Sequence, residues 1–161
     1  MSGEDREVAR EALRLAVELA RGTRTLAELT GMTASDAMAL AQRGEALAGD
    51  GNLEAARVIF EGLVACNPRD AGAHAALGTI HEKLGSRQLA LRSFDEALAL
   101  APGHPVARLA RGELRLRIGD PSGLEDLHAA ATSDPAGKTG AGRRAAALLE
   151  VLRKVQSGEL R

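Results

Sequence analysis

The chain has 161 residues, 45% of them hydrophobic, and a formal net charge of -1; this suits one compact domain and offers no global attraction to nucleic acid or an anionic membrane. No stretch is apolar and long enough to span a bilayer, and the charged start at Glu4, Asp5, Arg6 and Glu7 lacks the basic-then-apolar order of a secretory signal, so a cytoplasmic location is expected. Trp and Tyr are absent, Phe occurs twice and Cys66 is the single cysteine, which excludes an internal disulfide and leaves a core of alanine and leucine, residues of thin, close-packed helices rather than strands.

The first predicted element is a helix over roughly Glu4–Ala20, with Val8, Ala12, Leu15 and Leu19 on one face and Leu13, Val17 and Ala20 on an adjoining one. A stripe this wide exceeds one contact. Either the face of Val8, Ala12, Leu15 and Leu19 packs on a second protomer, making a homodimer, or the helix folds back on the rest of the chain. Residues 1–34 form this helix and its linker.

A repeat comes next. Gly44, Gly78 and Gly112 recur at a step of about 34 residues, the period of the tetratricopeptide repeat, a helix-turn-helix unit. The same step links Ala56 to Ala90, Phe60 to Phe94 and Pro68 to Pro102. Small residues let the paired helices approach, the phenylalanine fills the space between them, and proline stops the second helix. The expected fold is therefore all-α: three such repeats over residues 35–136 (37–70, 71–104 and 105–136), wound as a right-handed superhelix between N- and C-terminal capping helices.

Within the first repeat, helix A is predicted near Ser35–Ala48 and helix B over Leu53–Cys66, joined by Gly49-Asp50-Gly51-Asn52. The second runs through Leu84, turns at Gly85-Ser86 and ends before Pro102. The third opens at Pro105, a favoured first-turn residue, and needs one residue deleted near Asp120-Pro121-Ser122 to bring Leu127, Ala130 and Pro135 into register. Residues 137–161 read as a glycine-containing linker and a closing helix, Arg143–Gln156, whose stripe of Ala147, Leu148, Val151, Leu152 and Val155 is expected to seal the third repeat.

Residues capable of chemistry give little. Gly137-Lys138-Thr139 resembles the end of a phosphate-binding loop, but the pattern needs a glycine where Thr132 stands, and no strand precedes it. His74 and His81 are seven apart on one helix at packing positions, whereas a metal pair favours a spacing of four. His104 and His128 have no partner identifiable by spacing, and Cys66, near a helix end, is read as packing. Arg108, Arg111, Arg115 and Arg117 crowd one helix: either they anchor an acidic stretch of a ligand, or their stems cover the closing helix while their heads reach water. Neither an acid–base pair nor a metal set can be assembled, so no enzymatic activity, metal or cofactor is expected.

An N-terminal helix, the segment Gly22-Thr23-Arg24-Thr25-Leu26 with Ala27-Glu28-Leu29-Thr30-Gly31-Met32, three repeats and a closing helix together resemble the class II chaperones of bacterial type III secretion systems. GNLEAARVIFEGLVACNP is likewise similar to that family's first helix B. The resemblance implies a protein that holds a translocator subunit before export, with an extended segment of the client lying along the concave face of the A helices. It implies groove positions at Met38, Ala41, Glu45 and Ala48, then Ala75, Thr79 and Glu82, then Val106, Leu109, Glu113 and Leu116. Family members carry aromatic residues there; this chain has none, so its pockets are expected to be shallower or aliphatic. Capture of a C-terminal carboxylate is disfavoured, because Ala41, Glu45, Ala76, Val106 and Ala110 stand where cationic and amide side chains would be needed. The alternative is a general scaffold in another bacterial assembly, such as motility or envelope machinery.

Overall fold

The structure, a computed structural model, describes residues 3–134 and 136–159, with the side chains of residues 3–6, 8 and 9 excepted; Val8 of the predicted dimer face and Pro135 of the third repeat therefore lie outside the described residues. All of its regular structure is helical: α1 (Gly3–Ala20), α2 (Leu26–Thr30), α3 (Ala34–Gly49), α4 (Leu53–Cys66), α5 (Ala71–Lys83), α6 (Arg87–Leu100), α7 (Pro105–Arg117), α8 (Gly123–Ser133) and α9 (Ala141–Gln156).

Local chemistry sets these boundaries. Thr25 and Thr33 form reciprocal capping boxes with Glu28 and Asp36, starting α2 and α3, and the Asp70 carboxylate accepts from the Ala73 N–H to start α5. Pro105 opens α7 as expected, behind an uncommon cap: the His104 Nδ1 accepts from the Ala107 N–H at 3.2 Å. Each A helix ends at a glycine in the left-handed region, Gly51 (φ 82°), Gly85 (φ 78°) and Gly119 (φ 83°), each a full repeat from the next. Past each, the next N–H reaches back along the chain, from Asn52 to Leu47, Ser86 to His81 and Asp120 to Arg115, which closes the helix end and aims the chain into helix B.

The helices pack in chain order, α3 on α4, α5 on α6, α7 on α8, with α9 against α8 and α7. At the crossings, a Cβ on Gly44 would lie 2.6 Å from the Phe60 ring, and one on Gly78 would lie 2.6 Å from the Phe94 ring. The glycines are thus sockets for the phenylalanines. In the third repeat Leu127 takes the ring's place one position early, and α7 and α8 close up to compensate. A Cβ on Gly112 would meet the Gly123 carbonyl at 2.9 Å, so a second glycine has replaced the alanine that stands at that level in α6. The one-residue deletion expected ahead of α8 brings Leu127 against Gly112, where an added Cβ would lie 3.1 Å from its side chain.

One expectation needs correction. The buried side of α9 is formed by Ala141, Ala145, Leu148, Leu149 and Leu152. Val151 and Val155 are half exposed, and Ala147 is exposed. Ala145, wholly buried, follows Gly112 at one position less than a full period, the step that the deletion predicts, so α9 stands where the A helix of a fourth repeat would stand. Of the two arrangements open to the N-terminal helix, close packing on the repeats is not seen: among the described residues α1 makes no extensive contact with a repeat helix. Ala12 and Leu19 of the predicted face are exposed and Leu15 is half-buried, beside exposed Leu13 and Val17.

Candidate peptide-binding groove

The arginines of α7 meet neither expectation. Arg108 Nη1, Arg111 Nε and Nη2, and Arg115 Nη1 donate to the carboxylate of Asp126 on α8 at 3.1, 2.8, 2.6 and 2.9 Å, and Asp126 is 1% exposed. Arg111 also reaches Asp95 of α6 at 2.6 Å. Burial pushes the Asp126 carboxyl up, but the guanidinium groups outweigh it and hold it below the usual carboxylate range. Asp126 corresponds to Ser93 of the preceding repeat once the deletion is counted. The cluster therefore ties the repeats together from inside and is unavailable to a ligand. Arg117 leaves by another route, pairing with Glu82 of α5.

The phosphate-loop resemblance is filled in the same way. The Asp134 carboxylate accepts from the N–H groups of Lys138 (2.8 Å) and Thr139 (3.2 Å) and from the Thr139 hydroxyl (2.7 Å), so the loop's donors close on the chain's own anion and start α9. Of the histidines, His81 is buried against α4, where desolvation lowers its pKa. His74 Nε2 lies 3.0 Å from the Pro68 carbonyl oxygen, and His128 is exposed.

Apolar space is left along the A helices. A cavity of about 460 Å3 between α3 and α5 is lined by Glu45, Ala48, Ala75, Ala76, Thr79, Lys83, His104 and Val106 among others. A second, of about 450 Å3, lies between α5 and α7, shares Thr79, Lys83 and Val106 with the first, and adds Glu82, Leu109, Ala110, Glu113, Arg117 and Arg144. Of the groove positions implied by the resemblance, the two cavities gather Glu45, Ala48, Ala75, Thr79, Glu82, Val106, Leu109 and Glu113. Met38 is exposed beyond them, Ala41 packs beside the Phe60 cluster, and Leu116 lines a further pocket against α9. Leu109 is nearly buried, whereas Val106 is 38% exposed and touches both cavities.

Ala76, Lys83, His104, Arg117 and Arg144 are not among the implied positions. The repeat itself points to Ala76 and Ala110, which stand one period apart; Arg144 can be found only by treating α9 as another A helix. Electrostatically the groove is mostly self-contained. Arg144 grips Glu113 through two bonds, at 2.6 and 2.9 Å, and Arg117 holds Glu82, so neither carboxylate is free to select a basic ligand. The small residues that floor it leave room for a guest's side chains without filling it with their own.

These features define a tetratricopeptide-repeat domain, and the sequence pattern of the tetratricopeptide repeat matches residues 71–104, the second repeat. No curated protein sequence matches the chain. Its fold is that of type III secretion translocator chaperones. It is similar to a type III secretion complex from Aeromonas hydrophila, with a TM-score of 0.75 and 23% identity over 88% of this chain and 97% of that one. It is also similar to the translocator chaperone SycD of Yersinia enterocolitica, with a TM-score of 0.71 and 21% identity over 79% and 97%. A third likeness is to PcrH in complex with the chaperone-binding region of PopD, with a TM-score of 0.68 and 23% identity over 78% and 97%.

Proposed function

We propose that this protein is a cytoplasmic chaperone that holds an extended apolar segment of a translocator-like client along α3, α5 and α7, by binding and without catalysis. The observation that carries the reading is the pair of adjoining cavities, open, floored by alanine and threonine and crossing successive repeats. An extended chain laid across successive A helices places side chains in successive cavities. The fold supports the reading further, since PcrH has been seen with the chaperone-binding regions of PopD and PopB, and SycD with a peptide of the translocator YopD. No helix among the described residues is long and apolar enough to cross a membrane.

The test is co-purification from the native cell. A secreted, apolar protein should accompany the wild type and be lost with Val106→Glu, about tenfold or more weaker, because the new carboxylate puts a hydrated charge at the shared edge of both cavities, where the guest's apolar side chains would lie. An acidic residue in the first turn of α7 suits the helix dipole, so the melting temperature should hold. Recovery of envelope or motility components alone would instead favour the scaffold reading.

The face of Ala12, Leu15 and Leu19 on α1, with Val8, is assigned to a second copy of the chain. Ala12 and Leu19 are exposed and Leu15 is half-buried, and SycD is a protein whose dimers have been described. Light scattering should give twice the chain mass for the wild type and the single mass for Leu19→Glu.

A further inference from the structure

We infer that the groove continues past the third repeat onto α9, where a third subsite takes one apolar side chain of the same guest; this rests on the groove reading above. A cavity of about 270 Å3 lies between α7 and α9, walled by Leu116, Leu127, Leu148, Val151 and Leu152 together with Glu113 and Arg117. Those last two residues also line the second cavity, so the three spaces form one run in which each shares its edge with the next.

Continuity and charge both favour the guest as occupant. Because α9 stands in the place of a fourth A helix, a chain that crosses α3, α5 and α7 meets α9 next. The ridge it must pass is charged but neutral in sum, since Arg117 is paired with Glu82 and Arg144 with Glu113. A guest residue beyond that ridge finds no free charge to answer, only leucine and valine, and gains by being apolar. Half-exposed Val151, at 49%, is the part of this wall a guest would cover. A cavity little more than half the size of its neighbours, walled by leucine and valine, suits a single apolar side chain.

A displayed library of random dodecapeptides supplies the probe. Peptides enriched on the wild-type protein are measured against Val106→Glu and Val151→Gln, with helical circular dichroism confirming that both variants fold. The expected result is weakening by about tenfold or more for both, the loss of one apolar side chain's burial at α9 sufficing for the second. Loss with Val106→Glu and a change within about twofold for Val151→Gln would overturn the α9 subsite and leave the groove standing. No loss with Val106→Glu, or no peptide enriched at all, would overturn the groove and the subsite together.

Discussion

Asp126→Ala should lower the stability of the fold by about 3–5 kcal/mol, read as a fall in the denaturant midpoint followed by helical circular dichroism, because the chain has no Trp or Tyr to report by fluorescence. The size comes from the charges left unbalanced. Arg111 is well buried, Arg108 and Arg115 are partly so, and without Asp126 three guanidinium groups face one another with only Asp95 and Asp120 nearby. Removing Arg108 alone should cost less, since its side chain keeps access to water and the carboxylate keeps two partners. Asp126→Asn should fall near the alanine variant, since it preserves shape but not the charge that balances the arginines.

The same residue sets an acid limit. Its pKa is depressed in the folded state, so its contribution is fully present above the unfolded value of about 3.9 and is lost as pH falls through the lower folded value. His81 and His104 act earlier. Burial lowers both, so folding weakens as pH drops below the unfolded histidine value of about 6.5. A stability–pH curve should therefore descend in two stages, and the variant lacking Asp126 should show a shallower second stage.

The period is legible because it is written in residues with few substitutes: a glycine under a large apolar side chain, phenylalanine in two repeats, and a proline after a helix. Where the physics uses other means the sequence is harder to read. Arg111 at a packing position breaks the apolar pattern, and its partner Asp126 is on another helix, where no periodicity connects them. The orientation of α9 escapes for a related reason. In an alanine-rich chain the buried face is marked by the smallest side chains, Ala141 and Ala145, which let helices approach, whereas ranking by hydrophobic size selects Val151 and Val155. Of those two exposed valines, Val151 forms the surface on which the α9 subsite rests. Groove positions are reachable only through the repeat register, which explains why Arg144, outside the three repeats, is not found that way.

Phe94→Ala should cost a comparable amount, about 3–5 kcal/mol. The Phe94 ring is fully buried between Gly78 and a shell of Ala75, Ala90, Ala97, Leu98, Ala107 and Leu114. Four of those six neighbours are alanines, which have no side-chain rotamers with which to fill a void, so the cavity stays open and the cost falls at the high end for its class. Its position matters as much as its size. The shell draws on α5, α6 and α7, so the loss strikes the second repeat and its junction with the third at once, and in a stacked array such a junction carries the cooperativity. The melting transition of Phe94→Ala should therefore broaden as well as shift, with the outer repeats no longer unfolding together. Phe94→Leu should recover only part of the loss: the third repeat accommodates Leu127 by pairing Gly112 with Gly123, and Ala90 holds α5 and α6 too far apart to do the same.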